Sequence, residues 1–325
     1  MLISMLDHVT HLFRFQSIVE EGSLSRAAER LHVSQPALSR SLGVLEQHYG
    51  RQLLERHARG VQPTPFGTRV LAIARRVERL WELCEEELSP GDQEVALTLR
   101  IGGGLAWRKQ ILPDILLHIQ ERFPAIAFEI RALDYGTAAD DLREGRFDVL
   151  FMGALDRLDL SDLVVHPIIT VTDRLVAREG HPIFEDAGAD GNVPALSVTR
   201  FPWLEATTAP IFGTQVQDAL FGALGFRPQP MIRCENLDTS LAILQRSNYI
   251  AILPDAMLVD TANPRLIPVP LNIHTNYGLA GMIYRPEMAD WPQISELLCA
   301  CNAWIGRHQN ELSALGAVPK GYSEP

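Results

Sequence analysis

The sequence predicts an α+β chain of several domains, and three observations carry that expectation. Its 325 residues are about twice the usual single-domain length. Over the first ninety residues, apolar positions recur at helical spacing between short polar turns. From about residue 95 the texture changes to short apolar runs alternating with helical stretches, as in a parallel sheet covered by helices. The composition, 46% hydrophobic and 21% charged, is that of a folded globular chain and excludes collagen-like, low-complexity and disordered classes. No stretch approaches the roughly 18 uninterrupted apolar residues of a membrane span. Asp7 and His8 cut the first apolar run too short for a signal peptide. A cytoplasmic protein without a membrane partner is therefore expected. Cys84, Cys234, Cys299 and Cys301 are too few and scattered for a disulfide framework.

Leu12, Phe15, Ile18 and Val19 predict a first helix stopped by Gly22. Ser23 can cap a second helix in which Ala27, Ala28 and Leu31 form a small-residue face. His32-Val33 is a turn. Ser34 then caps a third helix, with Pro36 in its first turn where a missing N–H costs nothing. Leu38, Leu42 and Leu45 face inward, which leaves Gln35, Ser39 and Gly43 on the other side with Pro36 and Arg40 beside them. Gly50, Arg51, Arg56, Arg59, Gly60 and Pro63 suit a hairpin or wing. Thr64-Pro65 opens a long helix, and Phe66, Val70, Ile73, Val77, Leu80 and Cys84 along it form an a/d seam. Such a seam implies a partner helix, most simply from a second copy of the chain. Ser89-Pro90-Gly91-Asp92 marks a linker.

Beyond the linker, Leu97–Ile101 reads as a strand, Gly102-Gly103-Gly104 as a turn and Ile111–Arg122 as a helix. Ile126–Leu133 is the next strand, Ala138–Arg143 a helix and Val149–Met152 a strand. The pattern breaks near 165–175, runs on through 195–253 and returns at 277–285. A chain that leaves one α/β lobe, builds another and comes back makes two lobes with a cleft between them. Asn248 is expected to take the left-handed conformation at a helix end.

The net charge of −11 is unevenly spread. Residues 1–90 hold 11 Arg and 11 Asp plus Glu; of 29 basic and 40 acidic groups, the rest of the chain keeps 18 and 29. The N-terminal part is thus neutral, and weak non-specific affinity per monomer is expected if it meets DNA. A helix braced by another across a tight turn, with an exposed N-terminal face, can enter a major groove. Gln35 and Ser39 are i, i+4 neighbours able to reach base edges, and Arg40 can reach a guanine or a phosphate. Ordinary three-helix packing is the competing reading of the spacing alone.

The same residues carry a resemblance. Phe15, Glu21-Gly22-Ser23, Ala27-Ala28, Leu31, Ser34 through Arg40, Leu45-Glu46, Leu54-Glu55-Arg56, Thr64-Pro65 and Gly67 are similar in identity and register to the N-terminal signature of LysR-type transcriptional regulators. The resemblance implies a winged helix-turn-helix at 1–64, a linker and dimerisation helix at 65–91, and a two-lobed α/β effector domain at 92–310 like periplasmic binding proteins. Lobe I would take about 95–168 and 270–305, lobe II about 169–269, and 311–325 would be a C-terminal tail. DNA contacts would fall to Ser34, Gln35, Pro36, Ser39, Arg40, Arg51, Arg56 and Arg59. Gly43 and Val44 replace basic residues common in the family, which leaves phosphate contacts to the arginines. In the effector domain, Arg100-Ile101-Gly102 and Leu112-Pro113 resemble the first strand and helix. The family's Ser or Thr at the helix start is Ala106 here; free N–H groups near Ala106 and Trp107 can still hold an anion. Tyr135 and Thr137 occupy a second polar position, and Trp203, Thr207, Thr208, Pro210, Ile211 and Phe212 a second-lobe loop. The partners implied are double-stranded promoter DNA, a polar or anionic small effector, further copies in a homodimer or homotetramer, and RNA polymerase.

Other signals are weak. The glycine run lacks the third glycine of a dinucleotide fingerprint and the lysine of a phosphate loop. Cys299 and Cys301 face different ways on a helix. The histidines show no metal-ligand spacing, and no Ser/His/Asp arrangement has a nucleophile elbow; neither a cofactor nor an enzyme is expected. A cytoplasmic solute-binding or enzymatic α/β protein, or a regulator whose cleft has lost its ligand, are the alternatives.

Overall fold

The computed structural model describes residues 2–57, 60–88, 97–205, 213–259, 264–273, 278–314 and 318–319. The chain forms two compact bodies, one of Met1–Thr98 with Asp140–Phe147, the other of Leu99–Ala139 with Asp148–Pro325.

In the first body α1 (Leu2–Glu21) ends at Gly22, whose φ of +60 is left-handed. Ser23 stands at the cap of α2 (Leu24–Arg30), but its hydroxyl makes no capping bond, contrary to the sequence expectation; its carbonyl takes the Ala27 N–H instead. The turn closes through left-handed His32 and a Val33 N–H bond to Ala28. The Ser34 cap of α3 (Gln35–Tyr49) is real: its Oγ accepts from the Ala37 N–H at 3.3 Å. Leu38, Leu42 and Leu45 are buried with Leu12, Phe15, Ile18, Ala27 and Ala28 in one core, as their spacing predicts. The wing is an antiparallel hairpin, β1 (Leu54–His57) on β2 (Gly60–Pro63). Thr64 caps α4 (Pro65–Leu88) by accepting from the Gly67 N–H at 2.9 Å. A Cβ on Gly67 would lie 2.0 Å from the Leu53 carbonyl oxygen, so only glycine lets helix and wing approach this closely.

The a/d seam of α4 divides. Phe66 and Val70 pack into the core of the same body, so the first turns need no second chain. Ile73 is 50% exposed, Val77 and Leu80 are half-buried, and Trp81 beside them is 65% exposed. Further along, buried Arg79 donates to the Thr98 carbonyl and to Glu82. Arg75 pairs with Glu144 at 2.8 Å. Gly145, left-handed at φ +74, lies against the Arg75 carbonyl and Arg79 Cβ, and these contacts tie Asp140–Phe147 to α4.

The second body begins at Leu99, within β3 (Leu97–Gly103), which absorbs Gly102 and Gly103; Gly104 alone leaves it, so the expected three-glycine turn is one residue long. A helix follows from Leu105, widened to π geometry over Trp107–Ile111 and continued as α5 (Leu112–Arg122). Next in the chain come β4 (Ile126–Ala132), α6 (Ala138–Arg143), whose residues from Asp140 on belong to the first body, and β5 (Val149–Met152). No break occurs near 165–175: β6 (Val164–Val171) and β7 (Asp173–Arg178) are separated by Thr172 alone. Charged and polar residues at this crossing hide two consecutive strands that belong to different sheets.

The second lobe adds β8 (Leu204–Glu205), α7 (Gly213–Leu224), β9 (Ile232–Arg233), α8 (Leu237–Arg246), β10 (Ala251–Pro254) and β11 (Leu266–Pro268). Its sheet runs β10-β7-β11 and is antiparallel, not parallel. Asn248 has no positive φ; Ser247 ends α8 in extended backbone, its Oγ held by the Ile243 carbonyl at 2.6 Å, so no left-handed residue is needed. The chain returns as β12 (Gly278–Tyr284), followed by α9 (Pro292–Arg307), α10 (Gln309–Ala314) and β13 (Val318–Pro319). The first-lobe sheet has the order β13-β6-β12-β5-β3-β4 and is mixed: β3 and β5 are parallel, while β12 runs antiparallel to β5 and β6. No crossover helix of that lobe feeds β12, so nothing forces it parallel. Residues 311–325, expected as a tail, include a fully buried Leu312 and strand β13 paired to β6.

Candidate functional site

In the first body, Ser34, Gln35, Pro36, Ser39 and Arg40 are all exposed on the first turns of α3, while Leu38 and Leu42 bury the opposite face. The Ser34 cap fixes where the helix starts and therefore which side chains lead it. Ser25 Oγ donates to Gln35 Oε1 at 3.4 Å, a partner not anticipated from sequence, and Arg14 donates to buried Ser41 at 2.8 Å, which latches α1 to α3. Exposed Arg51 lays its guanidinium 5.2 Å from the Phe66 ring centroid, which anchors its stem. Arg56 belongs to β1, opposite Val61. Arg59 lies outside the described residues. A capped helix with a polar leading face, flanked by a hairpin, presents donors and acceptors to base edges and phosphates.

In the second body, the candidate site forms where the C-terminal ends of β3, β4 and β5 converge, the usual ligand position of parallel strands. Gly104 donates to the Phe151 carbonyl at 2.8 Å. Ala106 is half-buried, and Trp107 is buried with its ring 5.3 Å from Phe151, so it packs the floor of this end of the sheet. Tyr135 brings its hydroxyl 2.5 Å from where a Cβ on Gly104 would lie, so a side chain there would displace the hydroxyl. The Gly153 N–H donates to that oxygen, yet burial and the charge of Asp173 hold the phenol up at about 12. Thr137 is exposed on the turn into α6, which Asp134 organises by accepting from the Gly136 N–H at 2.8 Å.

Trp203 is 8% exposed in the second-lobe core, its ring against Phe221 and its N–H on the Val198 carbonyl. It packs the lobe core. Thr207, Thr208, Pro210, Ile211 and Phe212 lie outside the described residues.

Sequence reading took Gly104 only as part of a turn and missed Asp173 and Asp255. The two carboxylates sit at paired strand ends, since Pro254 of β10 is in register with Asp173 of β7. Asp255 accepts from the Thr172 N–H at 3.2 Å and the Ala256 N–H at 2.8 Å. Desolvation, and for Asp173 the neighbouring Asp255, pushes them up to about 8 for Asp173 and about 7 for Asp255. The two N–H donors favour charge on Asp255, so Asp255 ionises first and Asp173 keeps the proton. The turn after Asp255 touches the helix start: Gln110 donates to the Met257 and Val259 carbonyls at 3.2 and 2.7 Å. The sequence signal was an aspartate bordering each of two apolar strands: Asp173 opens β7 and Asp255 directly follows β10. Among the described residues no group of three His, Cys, Asp or Glu could hold a metal, and no helix is long and apolar enough to cross a membrane.

Comparison with known proteins agrees with this architecture. Residues 9–68 match the family described as bacterial regulatory helix-turn-helix protein, lysR family, and residues 92–304 match the LysR substrate binding domain. The transcriptional regulator GalR of Pseudomonas putida is 28% identical over 88% of this chain and 71% of its own length. BenM of Acinetobacter baylyi is 27% identical over 75% of this chain and 79% of its own. A full-length OxyR variant from Pseudomonas aeruginosa shares the fold at a TM-score of 0.60 and 20% identity, covering 90% of this chain and 94% of that one. CbnR in complex with its target DNA does so at 0.58 and 19%, covering 91% and 99%. The curated relatives are named as transcriptional regulators, not enzymes. The chain therefore belongs to the LysR family of bacterial helix-turn-helix proteins, as a DNA-binding transcriptional regulator with a substrate-binding domain for a small-molecule effector.

Proposed function

We propose that residues 1–64 read promoter DNA through Gln35, Ser39 and Arg40, with Ser34 and Pro36 at the helix start and Arg51, Arg56 and Arg59 on phosphates. The observation that carries this is the exposed polar face of α3 behind a made Ser34 cap. Residues 65–91 pair two chains through the outward stripe of α4, and residues 92–310 hold a small polar or anionic effector near Ala106, Trp107, Tyr135 and Thr137, with Thr207 to Phe212 as the facing loop. Contacts between effector domains complete a tetramer, and the bound regulator meets RNA polymerase in the cytoplasm. Avidity of several heads offsets their neutral charge. Effector binding shifts the population between two assemblies that present the heads differently, by no more than its difference in affinity for the two.

A gel shift on the DNA upstream of the chain's own gene tests the first part. A retarded complex lost on Arg40→Ala supports the reading, and equal retention of the variant refutes the assignment. Substituting Tyr135 and Thr208 and measuring inducer response separately from DNA binding tests the effector part. Full response in both variants places the effector elsewhere.

A further inference from the structure

We propose that the junction of Gly104, Tyr135 and Asp173 receives a small zwitterion, an amino-acid-like molecule whose carboxylate sits on the N–H groups of Leu105–Trp107 and whose cationic group pairs with the Asp173 carboxylate. This rests on the effector reading above and names the chemical class.

The helix from Leu105 supplies the anion end. Arg108 is the first of its residues to close onto Gly104, at 3.0 Å, so the N–H groups of residues 105–107 precede the helical ladder. Leu105 and Ala106 are half-exposed, which leaves this turn open to a ligand. Asp173 supplies the cation end. It is 4% exposed, and among the described residues no hydrogen bond or ion pair reaches its carboxylate. Asp255 beside it differs: its two N–H donors already satisfy it. The unmet acceptor is Asp173, and its charge acts on the Tyr135 hydroxyl that lies over Gly104. The Tyr135 hydroxyl lies over Gly104 at the helix start and feels the charge of Asp173, so it links an end that favours anions to an end that favours cations. A purely anionic ligand would face Asp173 with like charge, and a purely cationic one would face the positive end of the helix. Only a molecule carrying both charges meets both ends.

The pairing has a proton signature. Asp173 faces Asp255 and Arg157, and across the site Tyr135, on which Arg108 also acts; Arg174 acts on Asp255. Arg157 and Arg108 are exposed, and Arg108 Nε is engaged by the Gly103 carbonyl at 2.9 Å, so neither is a buried counter-ion. Because burial holds Asp173 up at about 8, a cation arriving below that pH expels its proton. Affinity rises with pH toward about 8 and then levels.

The test is isothermal titration calorimetry of the full chain with each L-amino acid, its deaminated acid and its decarboxylated amine, in two buffers of different ionisation heat. The expected result is one or more amino acids that bind with release of a proton at pH 7, the acid and the amine of the same skeleton binding at least tenfold more weakly. Asp173→Asn, an uncharged isostere, should weaken the amino acid at least tenfold and abolish the proton release. Equal binding by Asp173→Asn overturns the proposal. So does tight binding by carboxylates or sugars lacking a cationic group, in which case the effector reading stands and the zwitterion falls. If no small molecule binds while the gel shift persists, both fall.

Discussion

Arg40 stands exposed one residue beyond Ser39 on a helix whose start is fixed by a single hydroxyl. Arg40→Ala should weaken operator binding by about 1–3 kcal/mol if the guanidinium meets a guanine, read from gel-shift midpoints at one fixed salt concentration. A loss that falls on all sequences alike would instead mark a phosphate contact. Gln35 and Ser39 were legible in the sequence because helical periodicity separates them from Leu38 and Leu42. Ser25 was not, since its 3.4 Å bond to Gln35 crosses a turn whose geometry depends on left-handed His32. Gly67 shows the same limit. Its identity was visible, but its reason, the Leu53 carbonyl against its Cα, exists only after the wing folds back. Gly67→Ala should unfold the first body preferentially, seen as an early transition in thermal melts that spares the second body. A single transition at the wild-type temperature would show that the wing can yield.

At the scale of elements, α4 carries two apolar faces on one helix, one packed in the core and one exposed. Phe66, Val70, Leu71 and Ala74 belong to the first-body core. Ile73, Val77, Leu80 and Trp81 form a stripe with at least half of Ile73 and Trp81 in water, and exposed large apolar groups in contiguity mark an interaction surface. Val77→Asp should convert the oligomer to monomers or aggregates at micromolar concentration, measured by light scattering with helicity checked by circular dichroism. An unchanged oligomer would mean that the stripe packs within one chain. The heptad spacing was visible in the sequence; its division was not, because periodicity counts faces and says nothing about which neighbour covers each turn. The strand pair β6 and β7 makes the complementary point. Eight residues and then six, split by Thr172, read as an interruption because their charged residues sit where the chain passes from one sheet to another.

For the whole molecule, the buried carboxyls at that passage set a pH dependence of the second body. A carboxyl whose folded pKa is raised binds protons more tightly folded than unfolded. Its contribution is therefore greatest below the unfolded value near 4 and is lost as pH rises through the folded values of about 7 and about 8. Without ligand, Asp173→Asn should raise the melting temperature of the second body relative to wild type, with a larger gain at pH 8 than at pH 5. An equal gain at both values would mean that Asp173 is ionised throughout. The same substitution is expected to weaken ligand binding, so the group would improve function at a cost in stability.

The sequence by itself determined the head, the start and end of most of its helices, and the two-lobed plan behind it. Those features rest on local rules: caps at Ser34 and Thr64, a stop at Gly22, apolar residues every third or fourth position. Tertiary structure alone decided that β12 runs antiparallel into the first sheet, that Leu312 and β13 belong to the fold, and that Trp203 is core. It also brought together Gly104, Tyr135 and Asp173, which lie far apart in the chain on three strand ends. Burial and the charges around a group belong to its neighbours in space, and neighbours separated by tens of residues leave no periodic trace in the order of amino acids.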